Sequence, residues 1–518
     1  MASPAEKLAE SLEVLKELQD RGVVAVRSGD LSRTHRERLL QSGLLQEVMK
    51  GWYIPARPDE QAGESTSWYA SFWAFCAAYL NERFGSTWCL SPEQSLFLHA
   101  GNFTVPRQLL VRTPKGGNKP TSLPHGTSLF DLRAALPEPG ERRELRGLRV
   151  FSVPAALVRS GAALFADNAT EARTALAMVQ DASDVLAILL DGGHSVIAGR
   201  LAGAFRNIGR EKIADRIVND MANASYKVRE VDPFDTPAPF TVRQRELSPY
   251  VTRTLLMWHT MRTEIPTLFP AAPAGAIDIG AYMKRVEEVY VTDAYHSLSI
   301  EGYRVGVEMI ERVRSGLRDP DNNHQDREQR DALAARGYYN AFRSVKKSVE
   351  KVLRKENPGA VAGDDHAEWY AQLFGPSVGV GILRPGDLAG YRTGPVYIRN
   401  SLHAPPSCEA VRDMMPLLFE LLAEETEPAV RVVLGHFIFA YVHPYFDGNG
   451  RMGRFLMNVM LASGGYPWTV IPVERREDYM AALEAASTQG NIAPFAAFLG
   501  GLVKDNMEGK PGPRVSGR

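Results

Sequence analysis

Leu8, Leu12, Leu15 and Leu18 repeat at helical spacing and predict an amphipathic opening helix, after which Val23-Val24-Ala25-Val26 reads as a short strand. Ser32 to Leu40 pairs a cap-forming serine with a basic face and an apolar one, a second helix that Gly43-Leu44-Leu45 closes. Gln46 to Ile54 then reads as a two-stranded wing turning at Lys50-Gly51. Between Glu64 and Glu230, Trp68–Arg83 and Thr170–Leu190 predict helices, whereas Leu109–Arg112 and Leu148–Phe151 predict strands. Asp232 to Pro239 is a proline-rich join, extended and semi-rigid. Beyond it the pattern is helical. Val430, Val433, Leu434, Phe437 and Tyr441 mark a helix that Pro444 stops near His443; Met452, Phe455, Leu456, Val459 and Met460 mark another, ending at Gly464-Gly465-Tyr466-Pro467. Tyr391 to Arg399 alternates like a strand or hairpin, Ser315 to Arg330 reads as an exposed loop, and no solenoid-like repeat is present. The predicted divisions are 1–60, an α+β companion at 61–230, a mainly α part at 240–505, and a disordered tail at 506–518.

At 518 residues the chain exceeds one core and implies roughly two to four domains. With 44% hydrophobic and 23% charged residues and a net charge of −1, it reads as ordinary soluble protein whose global charge selects no partner. Cys76, Cys89 and Cys408 lack metal-ligand spacing and suit a reducing cytoplasm. Met1 to Glu6 shows no signal-peptide start, and no uninterrupted apolar run reaches membrane length, so the expectation is a cytoplasmic protein without a membrane partner. The basic loop Thr113 to Pro120 lacks the closing Lys-Ser/Thr of a P-loop and reads as a solvated turn; Asp181 and Asp184 read as an exposed helix face.

The chemistry concentrates in His443-Pro444-Tyr445-Phe446-Asp447-Gly448-Asn449-Gly450-Arg451-Met452-Gly453-Arg454. Gly448 and Gly450 let the backbone approach a ligand where a helix start offers unpaired N–H groups to an anion. Arg451 and Arg454, three apart, can lean toward one polyphosphate. Asp447 offers a hard oxygen to Mg²⁺, and His443 can take a proton from a hydroxyl nucleophile. Each part alone is commonplace; their order is not.

The segment resembles the signature of the Fic family, His-Pro-Phe-x-Asp/Glu-Gly-Asn-Gly-Arg-x-x-Arg, departing from it at Tyr445. The resemblance runs from about Phe240 to Lys504 and implies a helical core with a β-hairpin flap. It also implies transfer of AMP from ATP, with Mg²⁺, to a Ser, Thr or Tyr hydroxyl of a target protein. His443 would be the base and Asp447 the metal ligand, with Gly448, Asn449 and Gly450 on the inner phosphates and Arg451 and Arg454 on the outer ones. Ser297-Leu298-Ser299-Ile300-Glu301-Gly302 is similar to the family's inhibitory motif, in which Glu301 would reach Arg454 and occupy the γ-phosphate's place. The same glutamate would support removal of AMP in a reversed reaction. By the resemblance, Val396, Tyr397, Ile398 and Arg399 form the flap beside the nucleotide. Tyr479 and Met480 stand on its adenine side, and Ser487 replaces the Asn of many relatives.

The first sixty residues resemble the winged helix of abortive-infection-type antitoxin regulators. Arg33, Arg36 and Arg38 would then contact DNA, although eight basic and eight acidic residues in 1–50 give no domain-wide positive field. A dimerising or protein-binding module is the other reading of the same pattern. Two function classes follow: an AMP-transferring enzyme restrained by Glu301, with self-modification and a homodimer as further expectations, or a DNA-binding regulator whose Fic part senses nucleotide or is idle. A phosphorylating branch of the superfamily usually has Lys where Gly450 stands.

Overall fold

Leu15, Leu18, Val26, Leu31, Leu39, Leu45 and Tyr53 converge in a small core at the start of the chain, placed there by the helical and alternating spacings that carry them. The computed structural model describes residues 3–58, 60, 64–239, 248–315 and 326–515. The chain divides into two compact units, residues 1–256 with 397–404 and residues 257–396 with 405–518; the division falls inside the helix Pro249–Met261.

The N-terminal unit opens with the helices Pro4–Asp20 and Arg33–Gln41, whose first turns are capped by Ser3 and Ser32 accepting from the N–H of Glu6 and His35. Leu45–Met49 and Trp52–Pro55 pair as an antiparallel hairpin with a bulge at Glu47/Met49, and Gly51, at φ +84°, makes its turn. The strand read at 23–26 shrinks to Val26–Arg27, the residues in register with Tyr53 and Trp52. Next, the helix Thr66–Phe84 supplies Trp68, Phe72, Phe75 and Leu80 to a core shared with Leu90, Leu109, Val111 and Leu129. Those last residues lie in a sheet ordered Cys89–Leu90, Gln108–Thr113, Ser128–Arg133, Pro120–Ser122, its middle pair parallel and its outer pairs antiparallel. A separate hairpin, Arg142–Leu145 with Leu148–Phe151, follows.

From Val153 to Asn223 the unit is helical around its own core. The helix read over 170–190 breaks into Ala169–Met178 and Ser183–Asp191, because Val179 turns extended and the Asp181 carboxylate takes the Ser183 N–H. The proline-rich join is extended, yet packed: Phe234 is buried and Arg173 donates to the Thr236 carbonyl at 2.6 Å.

The C-terminal unit is built from long helices, among them Ile279–Ile300, Pro358–Gly379, Pro428–Val442, Asn449–Ser463 and Ala493–Met507. Pro428–Val442, the leading helix, buries residues all round its axis, as does Asn449–Ser463, the trailing helix, so both lie in the middle of the unit. Three expectations need correction. Tyr391 to Arg399 forms no strand: the Arg392 N–H donates to the Pro444 carbonyl and its side chain to those of His443 and Gly394, which ties the segment to the end of the leading helix. A helix begins at Asp326, inside the expected 315–330 loop, while residues 316–325 lie outside the described residues, as do 240–247 at the expected start of the catalytic part. The last helix reaches Met507 before an irregular tail whose final residues, 516–518, also lie outside. Among the described residues all three cysteines are free, and no helix is long and apolar enough to cross a membrane.

Candidate active site

The leading helix ends where Pro444 forbids its continuation, and the residue at its end, His443, takes a left-handed conformation at φ 51°. Its Nδ1 lies 3.3 Å from the Ala440 carbonyl, an oxygen that can only accept. We therefore assign the ring proton to Nδ1 and a free lone pair to Nε2. Loss of water holds this imidazole down at about 4, with the Arg392 guanidinium adding to the effect and Ala440, Glu301 and Asp447 opposing it. The ring is neutral at pH 7 and can accept a proton.

Arg392 was not foreseen. Its buried guanidinium donates to the carbonyls of His443 at 2.8 Å, Gly394 at 3.0 Å and Val442 at 3.4 Å, and to that of Pro406, while its own N–H donates to the Pro444 carbonyl at 2.9 Å. A helix ending inside a protein leaves its last carbonyls without partners, and an arginine supplies several donors at once. The signal available in sequence was the need for such a donor, without any indication of its position.

Between the two helices the turn is locked by Asn449, whose side chain accepts the Tyr445 N–H at 2.9 Å and donates to the Tyr445 carbonyl at 2.8 Å. This amide is thus spent on the loop, and only its backbone remains for a ligand. Gly448, at φ +81°, starts the trailing helix with no side-chain cap, so the N–H groups of the first turn lack partners within the helix. A Cβ on Gly448 would meet the Phe374 ring at 2.8 Å, and one on Gly450 would meet Glu301 Oε1 at 2.2 Å. Gly448 needs glycine for space and for its φ, whereas a side chain at Gly450 would push the Glu301 carboxylate aside. Tyr445, where the family signature has Phe, stacks on Tyr370 at 3.8 Å between centroids.

Arg451 and Arg454 reach inward from the trailing helix and are nearly sealed. The Arg451 guanidinium lies between the rings of Tyr303 and Phe374, at 5.2 and 5.1 Å, and 3.3 Å from Asp447 Oδ2. Arg454 donates to the Ser297 hydroxyl at 2.8 Å, the Ser297 carbonyl at 2.9 Å and Glu301 Oε1 at 2.7 Å. One nitrogen of each guanidinium, Nε of Arg451 and Nη1 of Arg454, is buried without a partner. Burial works to raise the Glu301 pKa, but Arg454 and Arg451 outweigh it and hold the carboxylate below its usual range. Glu301 ends the helix Ile279–Ile300, and Gly302, at φ +85°, turns the chain away. Asp447 is 65% exposed at the side chain and faces water beside the turn.

The other expected residues are placed as follows. Tyr479 is buried close enough to Arg454 to act on it electrostatically, its hydroxyl 2.7 Å from His436 Nε2, while His436 Nδ1 meets the Gly453 carbonyl at 2.8 Å and Phe495 and Phe498 pack near the Tyr479 ring. Met480, beside it, is half-buried. Val396 closes a segment of the C-terminal unit, whereas Tyr397, Ile398 and Arg399 belong to the N-terminal unit, in which Arg399 pairs with Glu64. In the N-terminal module Arg33 pairs with Glu37 at 2.7 Å, Arg36 donates to the Ser28 carbonyl at 2.9 Å, and Arg38 donates to the Lys7 carbonyl at 3.2 Å. Each of these arginines has a partner inside its own module. Among the described residues no group of three or more His, Cys, Asp or Glu is placed to hold a metal ion by itself.

Residues 364–461 match the model of the Fic/DOC family. The chain is 27% identical over 222 residues to the protein adenylyltransferase fic-1 of Caenorhabditis briggsae, covering 42% of this chain and 41% of that protein. It is 28% identical over 233 residues to the protein adenylyltransferase Fic of Nematostella vectensis, covering 44% and 49%. The chain thus spans less than half the length of these curated relatives. Fic-1 of C. elegans, a solved structure, is 19% identical over 69% of this chain and 96% of that one, with a TM-score of 0.38. The signature turn at 443–454 lies wholly inside the matched residues, and Glu301 lies before them. The chain carries a Fic domain.

Proposed function

We propose that this Fic domain is a protein adenylyltransferase that moves AMP from ATP to a Ser, Thr or Tyr hydroxyl of a target protein and is held in check by Glu301. One observation carries the reading: an uncapped helix start at Gly448 is flanked by two sealed arginines that each keep one nitrogen unpartnered. Such a site is short of negative charge, and a polyphosphate supplies it. The neutral imidazole of His443 takes the proton of the incoming hydroxyl at Nε2. The hydroxyl oxygen bonds to the α-phosphorus, the bond from that phosphorus to the bridging oxygen breaks, and pyrophosphate leaves. Asp447, exposed beside the turn, would hold Mg²⁺ together with phosphate oxygens. When bound, that ion neutralises phosphate charge. Glu301 now occupies part of what the arginines offer, so the γ-phosphate cannot settle on Arg454 without displacing it.

Intact-mass and peptide mass spectrometry of the Glu301→Gly variant with ATP tests the proposal: an added AMP group supports it, and an added phosphate, or no adduct with any protein in a lysate, overturns it. The other reading, a DNA-binding regulator with an idle Fic part, is disfavoured at Arg33, Arg36 and Arg38, which are engaged locally. The three free cysteines suit action in a reducing compartment such as the cytoplasm.

A further inference from the structure

Residues 101–150 hold nine Lys or Arg side chains and four Asp or Glu, a strong local asymmetry in a chain whose net charge is −1. Two of those four carboxylates are already taken by arginines outside the stretch: Asp131 by Arg83 and Glu141 by Arg159, each at 2.7 Å. None of the nine cations forms an ion pair among the described residues. Three of them converge. Arg112 lies opposite Cys89 in the ladder, Arg142 lies opposite Phe151 and Arg149 opposite Glu144 in the neighbouring hairpin, and all three act electrostatically on the Cys89 thiol. Like charges crowded in this way repel, so their placement needs an explanation.

Aromatic rings and loop carbonyls hold the three in position. The Arg112 guanidinium lies over Phe151 at 5.8 Å and that of Arg149 over Trp88 at 5.9 Å, while Arg142 Nε donates to the Pro137 carbonyl at 2.6 Å. The Nε atoms of Arg112 and Arg149 are buried without a partner. Half-buried cations of one sign that form no ion pair, with only the exposed Glu144 opposite Arg149 near them, keep donor capacity for an anion from outside. Lys115, Lys119 and Arg143, exposed in the same stretch, extend the positive field beyond what one small anion would require.

We propose that Arg112, Arg142 and Arg149, from the companion sheet and its neighbouring hairpin in the N-terminal unit, form a phosphate-backbone contact for nucleic acid. This places the polyanion contact away from Arg33, Arg36 and Arg38, each of which has one nitrogen bound inside its own module. The contact is to backbone, so it is salt-sensitive and tolerant of sequence.

Fluorescence anisotropy of a labelled duplex DNA of arbitrary sequence with the full chain tests it, alongside a duplex RNA of the same sequence. The expected result is binding at low salt, weakened at least tenfold in Arg112→Gln/Arg142→Gln/Arg149→Gln, with a salt slope shallower by about two to three, near 0.9 per lost contact. Arg33→Gln/Arg36→Gln/Arg38→Gln should bind as wild type does. Because the first triple variant alters half-buried residues, circular dichroism and the exposed variant Lys115→Gln/Lys119→Gln/Arg143→Gln, expected to weaken binding severalfold, accompany it. Binding of DNA and RNA alike supports a backbone contact. Absence of binding to either duplex, binding of heparin alone, or loss of binding only in the Arg33 triple variant overturns the proposal.

Discussion

Replacing Glu301 by Gly removes the carboxylate that pairs with Arg454 and leaves the rest of the anion site in place. Position 301 sits at φ −83°, ψ 1°, which either residue adopts, so the change is chiefly in charge and shape. A hydrogen bond to a charged group contributes about 1.5–3 kcal/mol. The Glu301 side chain is 28% exposed while that of Arg454 is 4% exposed, so water screens one side of the pair and the lower part of that range applies. At about 1.4 kcal/mol per tenfold, the expected gain in the initial rate of AMP incorporation is about 10- to 30-fold. Glu301→Gln, which keeps the shape and loses the charge, should fall between wild type and Glu301→Gly. The assay is incorporation of label from ATP labelled at the α-phosphorus, at saturating nucleotide, with nucleotide affinity measured separately by calorimetry. Equal rates in all three proteins, with nucleotide shown to bind, would refute the idea that the Glu301–Arg454 contact restrains the site.

The remaining predictions concern the base, its support, and acid stability. His443→Asn, chosen because Asn tolerates the left-handed backbone there, should abolish transfer in the Glu301→Gly background while nucleotide still binds; retained transfer would remove His443 as base. Arg392→Ala should cost about 2–4 kcal/mol of stability by leaving buried carbonyls without donors, and Arg392→Lys should recover part of the melting temperature but lower kcat more than it changes KM; a wild-type melting curve for Arg392→Ala would contradict the stapling role. His443 and His436 are both held at about 4 against an ordinary 6.5, chiefly by burial, so the unfolded chain takes up their protons first. The stability they contribute is present above about 6.5 and lost as pH falls toward about 4, and a melting temperature flat across that window would contradict the burial argument. Asp293, pushed up to about 6 by burial despite help from Tyr338, has the opposite sign: its contribution is present below 3.8 and lost as pH rises through about 6. Asp293→Asn should therefore raise the melting temperature at about pH 8 and not at about pH 4.

The spacing of apolar residues was enough to place the leading and trailing helices, the opening helix, the helix capped by Ser32, the hairpin turning at Gly51 and the strand through Leu109, because each depends on neighbours within a few residues. The order of residues from His443 to Arg454 likewise announced an anion site, since a histidine, a carboxylate, two glycines and two arginines joined by one turn must end up close together. Contacts between distant parts of the chain were beyond such reading. The alternation at 391–399 predicted a strand, but Arg392 was drawn instead to the carbonyls at the end of the leading helix, a demand that arises only after that helix is buried. Tyr479 was read as an adenine-side residue, and its contact with His436 is set by the packing of separate helices. Whether Glu301 meets Arg454 across 153 residues, and whether arginines 112, 142 and 149 crowd around one cysteine, depends on how helices and strands stack. Local periodicity carries the elements and the turn chemistry, whereas burial, which decides the partners of a charge and the pKa of an imidazole, is a property of the assembled fold.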